Sequence, residues 1–201
     1  MSERLTVLDD DRLSAVRPLI SARLQEVAGL VGGAAFEEFF DDTMRMLLRE
    51  GLSRIGAHEG TIWMLDSSRT YLMPRFNSGP KAAEIVGRFR QSLRSGMISM
   101  VVATEQPICE NEVHKNRQQD KALDRQLGLL TCAMIAVPFY FSGEMRGVVS
   151  AVRLKPAESI DSDPSSFSYD DLNSLQFTVS VLSRMFEHRL LSLALGREGH
   201  G

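Results

Sequence analysis

Two apolar segments joined by a short polar link constrain the fold of this chain more than any other feature. Residues 131–141 (TCAMIAVPFYF) and 145–154 (MRGVVSAVRL) are rich in the β-branched and aromatic residues that strands favour. The three residues between them, Ser142, Gly143 and Glu144, suit a tight turn. This arrangement predicts a β-hairpin, and therefore a sheet in which these two strands are antiparallel neighbours.

Three further segments have the composition of strands. Residues 61–65 (TIWML) and 71–76 are separated by a polar turn, and residues 107–113 form a third candidate strand. Together with the hairpin, segments 59–76, 107–113 and 131–154 are predicted to form one antiparallel sheet.

Helical periodicity covers most of the remaining chain. One helix is predicted to begin near Pro18, because proline suits the first turn, and a longer helix spans residues 34–55. Gly56 stands where that second helix would end. The last helix is predicted from Asp170 to about Leu195 and is acidic at its start, as the helix dipole prefers.

Shorter helices are predicted between the strands. One carries Ile85, Phe89 and Leu93 on one face, and another covers residues 97–104. Residues 114–127 are very polar and predict a helix or a loop. The order of helix, two strands, helices, strand, hairpin and helix describes one α+β domain.

Length and charge limit the domain organisation and the partners. We expect residues 1–33 to form an N-terminal helical segment, residues 34–195 the folded domain and residues 196–201 a flexible tail. The net charge of −3 gives no electrostatic reason to expect nucleic acid as a partner. No apolar run approaches the roughly 18 to 20 residues that a membrane span needs. Two cysteines are too few for a secreted disulfide framework, so a cytoplasmic location is expected.

Three stretches carry a resemblance to a known family. The stretch that begins at Gly96 (GMISMVVATEQPICENEV) combines a glycine-led helix with the entrance to a strand. Residues 129–154 contain the paired strands, and residues 166–175 (SFSYDDLNSL) precede the last helix. All three are similar to motifs of the GAF family of small-molecule sensor domains, and the resemblance covers about residues 35–192. A second glycine of the first motif is replaced here by Ser99 or its neighbour, which changes the pocket wall but not the fold.

The resemblance implies a central antiparallel sheet with long terminal helices on one face. Short helices and loops are then expected to cover a ligand cavity on the other face, where apolar and polar side chains mix as in small-molecule pockets. The candidate pocket residues are Trp63, Tyr71, Arg75, Phe76, Phe89, Met97, Met100, Cys109, Asn111, His114, Met134, Phe139 and Arg153. The alternative for most of the aromatic and methionine residues is that they form ordinary core. The identity of the ligand is not predicted.

The sequence offers no recognisable set of catalytic residues. It contains no H-E-x-x-H, G-x-S-x-G or glycine-rich phosphate-binding motif. The four histidines have no metal-ligand spacing, so the alternative for His114 is a solvated loop histidine. We therefore expect a protein that is not an enzyme, with no metal and no identified cofactor.

Cys109 and Cys132 leave one enzymatic alternative open. The resemblance extends to GAF-type methionine sulfoxide reductase, which uses thiols, and two thiols could cycle through a disulfide. The third cysteine and the aromatic-rich substrate motif of that enzyme have no counterpart here, and buried thiols commonly act as small hydrophobic side chains. The signatures of bilin-binding and cyclic-nucleotide-binding relatives are not supported either.

The last predicted helix carries more apolar surface than one sheet covers. Beside the stripe that packs on the sheet, Phe177, Val181, Met185 and Leu191 form a second stripe on a different face. We expect this face to pair with a second copy of the chain, and the alternative is that residues 13–31 cover it. The predicted interface contains Phe36, Phe40, Leu47, Leu175, Val179, Leu182, Phe186 and Leu193, with Leu182 and Phe186 at its centre.

The sequence thus predicts a stand-alone sensory domain. A small molecule is expected to shift the short helices and strands around the cavity and so to bias the helices at the dimer interface. Because no kinase, cyclase or phosphodiesterase motif is present, the output is expected to act through a separate signalling protein. Two alternatives stay open: a thiol redox enzyme, and a ligand-free interaction module whose cavity is filled by some of its ten methionines.

Overall fold

The computed structural model of the protein describes residues 14–31, 33 and 35–195. The predicted tail and the start of the N-terminal segment, residues 1–13, lie outside the described residues. The helices are α1 (Arg17–Val31), α2 (Phe36–Phe39), α3 (Asp42–Arg54), α4 (Ala82–Ile85), α5 (Met97–Thr104), α6 (Ala122–Leu127) and α7 (Tyr169–Ala194), with a 3₁₀ turn at Val113–Lys115.

One curled antiparallel sheet of six strands lies at the centre of the fold. The strands are β1 (Glu59–Leu65), β2 (Tyr71–Asn77), β3 (Gln91–Ser92), β4 (Ile108–Glu110), β5 (Leu129–Phe141) and β6 (Glu144–Pro156). They are ordered β3-β2-β1-β6-β5-β4 across the sheet, and every neighbouring pair is antiparallel. The predicted sheet is confirmed, and so is the α+β class.

The predicted hairpin is formed by β5 and β6, which are the two longest strands. Only Ser142 and Gly143 separate them, and both have a positive φ, 56° and 74°. Two central residues with positive φ are what a type I′ turn requires, and this turn matches the natural twist of the strands. Gly147 follows the turn on β6, where a Cβ atom would lie 2.0 Å from the backbone oxygen of Trp63 on β1. A glycine is therefore needed for β1 and β6 to pair at this point.

The long helices cover one face of the sheet and bury the larger hydrophobic cluster. Phe186 of α7 lies at its centre, fully buried, and its ring centroid is 5.0 to 6.2 Å from those of five other phenylalanines. Those five are Phe36, Phe39, Phe40, Phe139 and Phe141. Aromatic side chains of this size contribute much of the burial free energy of a core.

A smaller cluster lies on the opposite face, under the short helices. Trp63 of β1, Ile98 and Val101 of α5, and Val148 of β6 belong to it. Helices α5 and α6 contact the hairpin strands from this side. The arrangement that the family resemblance implied, with long helices on one face and short helices on the other, is confirmed.

The predicted helix 34–55 is in fact two helices. Phe40 leaves the helical conformation at φ −84° and ψ 81°, and Asp41 then begins α3 as its N-cap. The Asp41 carboxylate accepts a hydrogen bond of 3.0 Å from the backbone N–H of Met44. In a continuous helix, this N–H would bond to the carbonyl oxygen four residues earlier. Here the Asp41 side chain accepts the bond instead, so the donor is satisfied where the new helix begins.

The prediction of one helix with Ile85, Phe89 and Leu93 on the same face is also wrong. Only the single turn α4 forms, because Val86 adopts an extended ψ of 122° and Gly87 a positive φ of 69°. The chain then extends into β3, which pairs with the start of β2. The positive φ at Gly87 ends the helix before the apolar spacing runs out.

The last helix begins as the sequence predicts. Ser168 and Asp171 form a reciprocal capping box: the Ser168 hydroxyl accepts from the Asp171 N–H, and the Asp171 carboxylate accepts from the Ser168 N–H. The 26-residue helix α7 then runs across the sheet. Across the described ranges, no helix combines the length and apolar character needed to cross a membrane.

The N-terminal helix packs against the domain. Val27, Ala28 and Val31 of α1 are buried in the larger cluster, and α1 contacts α7. Gln25 donates a hydrogen bond to the Ser142 carbonyl at the hairpin turn, 3.1 Å away. The predicted start of this helix near Pro18 is confirmed.

Candidate functional site

A small cavity lies between the sheet and the short helices, on the face opposite the long helices. Its volume is about 70 Å³. The sheet contributes residues 59, 61 and 63 of β1 and residues 150, 152 and 154 of β6, because alternate side chains of a strand share one face. Helices α5 and α6 and the segment that leads into α6 close the other side.

The start of α5 is shaped by Gly96, which lines the cavity. Its φ is 92°, and an added Cβ would lie 2.9 Å from the Gln91 side-chain nitrogen. A residue with a side chain would therefore strain the backbone and displace Gln91. This glycine leads the first of the three motifs that resemble the GAF family.

The polar part of the lining is acidic. Glu59, Asp120 and Asp124 contribute carboxylates, and among the described residues no lysine, arginine or histidine lines the cavity. Burial raises the pKa of Glu59, although a hydrogen bond from Asn77 opposes this effect. The cavity therefore presents negative charge and hydrogen-bond acceptors to its contents.

Asp120 is held in place by three donors. It accepts hydrogen bonds from the Ala122 N–H at 3.0 Å, the Gln91 amide at 3.2 Å and the Ser95 hydroxyl at 3.0 Å. The bond from the Ala122 backbone is the main reason why the pKa of Asp120 is lowered. Asp120 therefore keeps its negative charge at neutral pH.

Gln119 offers an acceptor that the protein leaves unpaired. Its amide nitrogen donates to Asp124 at 2.8 Å, and Asp124 also accepts from the N–H and the hydroxyl of Thr131. Because an ionised carboxylate only accepts hydrogen bonds, this contact fixes which end of the amide is nitrogen. The Gln119 oxygen is then buried with no partner among the residues described. A buried acceptor without a partner is costly, so a donor from a ligand or water is expected there.

Two pairs of polar side chains on the sheet side of the cavity already form hydrogen bonds with each other. The Trp63 indole donates to the Ser150 hydroxyl at 2.9 Å, and the Asn77 amide donates to the Thr61 hydroxyl at 2.9 Å. The buried acceptor left without a partner in the described part of the chain, the Gln119 oxygen, lies on the helical side of the cavity.

Three of the predicted pocket residues line this cavity: Trp63, Met97 and Met134. Phe89 packs nearby, with its ring centroid 6.2 Å from that of Trp63. The sequence did not predict the polar side chains of the lining, because they lie beside short segments that carry no strong motif.

Phe76, Phe139 and Arg153 point to the other face of the sheet. Met134 and Phe139 differ by an odd number of positions along β5, so their side chains lie on opposite faces. Both phenylalanines belong to the cluster under the long helices. The prediction was wrong here because it assigned side chains from both faces of β5 to the pocket.

Arg153 is a structural residue. Its guanidinium donates to the carbonyl oxygens of Ile55 at 2.7 Å, Gly56 at 3.1 Å, Ser165 at 2.7 Å and Ser166 at 2.9 Å. It thus ties the end of α3 to the loop before α7. Asn111 has a similar role, because it exchanges hydrogen bonds of 3.0 and 2.8 Å with the backbone of Phe167.

Tyr71, Arg75, Met100 and Cys109 also lie outside the cavity lining. Tyr71 is on β2 and is exposed. Cys109 is exposed on the edge strand β4.

The predicted interface residues lie in the interior of a single chain. Phe36, Phe40, Leu175, Val179, Leu182 and Phe186 are buried in the larger cluster, and Leu47 and Leu193 pack against it. These side chains are not a surface on which a second copy could dock. Phe177 and Leu191 of the second stripe, by contrast, are 71% and 42% exposed.

The two thiols are free and are not placed to form a disulfide with each other. Cys109 pairs with Ile135 across β4 and β5, three residues along β5 from Cys132. Three residues of strand span roughly 10 Å, whereas the Cβ atoms of a disulfide lie about 3.5 to 4.5 Å apart. Neither thiol lines the cavity.

Cys132 instead lies near His114 and Asp163. Its sulfur is 3.8 Å from Asp163 Oδ1, and His114 Nε2 is 3.4 Å from Asp163 Oδ2. Burial, and then the negative charge of Asp163, raise the pKa of Cys132. Lys155 forms an ion pair of 2.7 Å with the same carboxylate. The sequence did not reveal this cluster, because its members are far apart along the chain.

Comparisons with known proteins agree with this architecture. The family model described as GAF domain matches residues 37–187. The GAF domain of a phosphoenolpyruvate-protein phosphotransferase from Coxiella burnetii is 15% identical, with 88% of this chain and 96% of that chain covered and a TM-score of 0.59. The GAF-B domain of DevS from Mycobacterium smegmatis is 15% identical, with coverage of 78% and 96% and a TM-score of 0.55.

A third similar structure is an enzyme. Free methionine-R-sulfoxide reductase from Neisseria meningitidis, solved with its substrate, is 16% identical, with coverage of 94% and 98% and a TM-score of 0.54. At these identities the three structures establish a shared fold. No curated protein sequence matches the chain.

Proposed function

The chain belongs to the GAF domain family, a family of sensory domains, and we propose that it is itself a sensor of a small molecule that carries a positive charge or several hydrogen-bond donors. One observation supports this above the others. The cavity wall combines three carboxylates with an unpaired, buried amide oxygen, and it holds no cationic side chain among the described residues. A protonated amine on an apolar skeleton complements both parts of such a lining.

The charge balance of the wall favours a cation. Asp120 stays ionised because its hydrogen bonds stabilise the charge. Burial raises the pKa of Glu59 against the effects of Asn77, His58 and Lys81, so the ionised Glu59 carries a cost that an incoming positive charge would relieve. An anionic ligand would add repulsion to that cost. The proposed contacts of the ligand cation are Glu59 and the Gln119 oxygen.

The size of the cavity supports a role for the short helices in signalling. Its volume of about 70 Å³ is well below the roughly 300 Å³ of a typical ligand pocket. A ligand larger than a few atoms therefore needs α5 and α6 to move outward. Both are short, with eight and six residues.

We propose that the signal leaves through α7 to a second copy of the chain. This proposal is supported by the second stripe, where Phe177 and Leu191 are exposed, while Val181 and Met185 line an open groove beside them. Large exposed apolar patches are uncommon on monomers, and these two exposed side chains mark the face of α7 that we propose as the contact surface. A separate cytoplasmic signalling protein would then read the state of the dimer.

We favour a sensor over a thiol reductase. The roughly 10 Å between the strand positions of the two cysteines supports this choice, since it leaves no disulfide partner for either thiol within one chain. The reductase hypothesis predicts turnover of free methionine sulfoxide that is lost when both cysteines are replaced by serine. The sensor hypothesis predicts no such turnover.

The test is a comparison of small amines with carboxylic acids of the same carbon skeleton, measured as shifts of the unfolding temperature and confirmed by calorimetry. An amine present at about one hundred times its Kd is expected to raise the midpoint by roughly 5 to 10 °C. The matched acids are expected to have no effect. The variant Glu59→Gln should lose most of this response, whereas Glu158→Gln, on an exposed turn, should keep it. Equal or stronger stabilisation by the acids would contradict the proposal.

A further inference from the structure

A histidine, a cysteine and an aspartate converge outside the ligand cavity. His114 is in the 3₁₀ turn that follows β4, Cys132 is near the start of β5, and Asp163 is in the loop before α7. One potential ligand atom of each residue lies within 4.8 Å of the other two. Three separate segments of the chain therefore supply the three groups.

A bulge in β5 accounts for the position of the cysteine. The pairing of β5 with β6 shifts between Thr131 and Ala133, so Cys132 has no partner residue on β6. Bulges redirect side chains and are frequent beside functional sites. The neighbouring Thr131 lines the cavity, whereas the Cys132 sulfur lies beside Asp163.

We propose that His114, Cys132 and Asp163 bind one zinc ion through an imidazole nitrogen, a thiolate and a carboxylate oxygen. The distances between these groups are already close to those of a coordination sphere. Zinc bonds of about 2.0 to 2.3 Å in a tetrahedral arrangement place ligand atoms about 3.3 to 3.6 Å apart. His114 Nε2 lies 3.4 Å from Asp163 Oδ2, and the Cys132 sulfur lies 3.8 Å from the other oxygen, Asp163 Oδ1. With one ligand atom taken from each residue, the three atoms lie within 4.8 Å of one another, so a small rotation of the carboxylate would bring one oxygen to both partners.

The types of ligand select the metal. Calcium and magnesium prefer oxygen ligands alone, whereas a set of one sulfur, one nitrogen and one oxygen suits zinc. Three protein ligands leave a fourth position for water. The burial also differs along the set, with Cys132 buried, His114 half-buried and Asp163 exposed, so the ion would be reached from the Asp163 side.

Lys155 already places a positive charge beside the Asp163 carboxylate. Its ammonium lies 2.7 Å from Asp163 Oδ1 and also donates to the Asp161 carbonyl at 3.0 Å. An ammonium next to a ligand carboxylate competes with the ion by charge repulsion. Replacing Lys155 by methionine should therefore tighten zinc binding, an outcome that a purely structural ion pair does not predict.

Binding would fix the loop that leads into α7. Asp163 lies in that loop, a few residues before the N-cap Ser168, while Cys132 belongs to the central sheet. A zinc ion between them links the loop to β5. Zinc is therefore expected to raise the unfolding temperature of the full chain, since a ligand that binds only the folded state stabilises it.

The test uses the full-length chain freed of metal with a chelator. Cobalt(II) is added first, because its spectrum reports both thiolate ligation in the near ultraviolet and tetrahedral geometry in the visible region. Zinc is then titrated against a chromophoric chelator. We expect one equivalent of cobalt with a thiolate band, displacement of that cobalt by one equivalent of zinc, and an affinity for zinc reduced by about a hundredfold or more in Cys132→Ser, His114→Ala and Asp163→Asn.

The control variant is Cys109→Ser, which removes the other thiol of the chain and should leave both the band and the affinity unchanged. Circular dichroism of each metal-free variant establishes that it is folded, and Lys155→Met provides a variant expected to gain affinity. The absence of a thiolate band in the wild-type protein would overturn the proposal. So would a band that survives in Cys132→Ser or disappears in Cys109→Ser. These outcomes are independent of the amine test of the cavity.

Discussion

Glu59 shows how a single side chain connects the stability of this domain to its ligand. It lies in the cavity wall, and burial raises its pKa, against the effects of Asn77, His58 and Lys81. The ionised carboxylate is therefore less favourable in the folded chain than in the unfolded one. A ligand cation would remove part of that cost, so its binding at this carboxylate would also raise the free energy of unfolding.

Replacing Glu59 by glutamine should raise the unfolding temperature at pH 7, because the amide keeps the shape without the buried charge. The sign follows from the direction of the pKa shift. Below the unfolded-state pKa, about 4.5, both states of the wild-type are protonated and the variant has no advantage. As the pH rises through the raised pKa of the folded state, the wild-type loses stability and the advantage of the variant grows. Thermal unfolding from pH 4 to pH 8 measures this difference, and a constant difference would contradict the assignment.

Side-chain alternation explains which cavity residues the sequence could and could not identify. Trp63 and Met134 were found because large side chains on the middle strands are natural candidates for a pocket. Phe139 was included in error, since the sequence marks the strand but not which of its faces meets the long helices. Gln119 and Asp120 were missed because a polar segment gives no sign of its partners across the fold.

At the scale of elements, Asp41 determines where the first core helices divide. Its carboxylate caps α3 through the Met44 N–H, and its second oxygen lies 2.6 Å from the guanidinium of Arg189 on α7. The same side chain therefore begins one helix and ties it to another. Arg189 also donates to the Glu38 carbonyl at the end of α2, at 3.1 Å.

Two substitutions separate these contributions. Asp41→Ala removes the cap and the ion pair and should lower the free energy of unfolding by about 1 to 2 kcal/mol. Asp41→Asn keeps a side-chain oxygen for the cap and loses only the charge, so its cost should be well under 1 kcal/mol, as for a partly exposed ion pair. Urea unfolding measures both values. Equal losses in the two variants would mean that the ion pair, rather than the cap, supports this junction.

The helix boundaries show the limit of periodicity as a guide. Apolar spacing continues from Phe36 to Ile55 across the break, because both α2 and α3 bury residues in the same cluster. Asp41 was a local signal for the start of a new helix, but the continuous apolar spacing made the two helices look like one. In the same way, the spacing from Ile85 to Leu93 crosses Gly87, where the backbone turns to a positive φ. The hairpin was predicted correctly because its turn and its strands are both local features.

At the scale of the whole molecule, the sheet divides the domain into a ligand side and a helix side. The cavity opens under α5 and α6, and α3 and α7 cover the other face. Strands β1, β5 and β6 contribute side chains to both, so a change in the cavity reaches α7 through one layer of sheet. The apolar surface that remains exposed on α7 is the place where such a change can be passed to another molecule.

The proposed dimer can be tested with two substitutions on the same helix. Phe177 is 71% exposed, so Phe177→Glu should leave the unfolding temperature nearly unchanged and convert the dimer to a monomer. Leu182 is fully buried in the larger cluster, so Leu182→Glu should instead destabilise the whole fold by several kcal/mol. The prediction that Leu182 lies at the centre of a dimer interface is wrong, because its side chain is fully buried within one chain.

Sedimentation at micromolar concentration, combined with thermal unfolding, distinguishes these outcomes. The wild-type protein is expected to sediment as a dimer and Phe177→Glu as a folded monomer. Glu187→Gln on the same helix is a suitable control, because it removes a charge without adding one to the stripe. A monomeric wild-type protein would contradict the proposal, as would a Phe177→Glu variant that still dimerises. In either case the outer face of α7, part of which α1 already covers, would need no second copy of the chain.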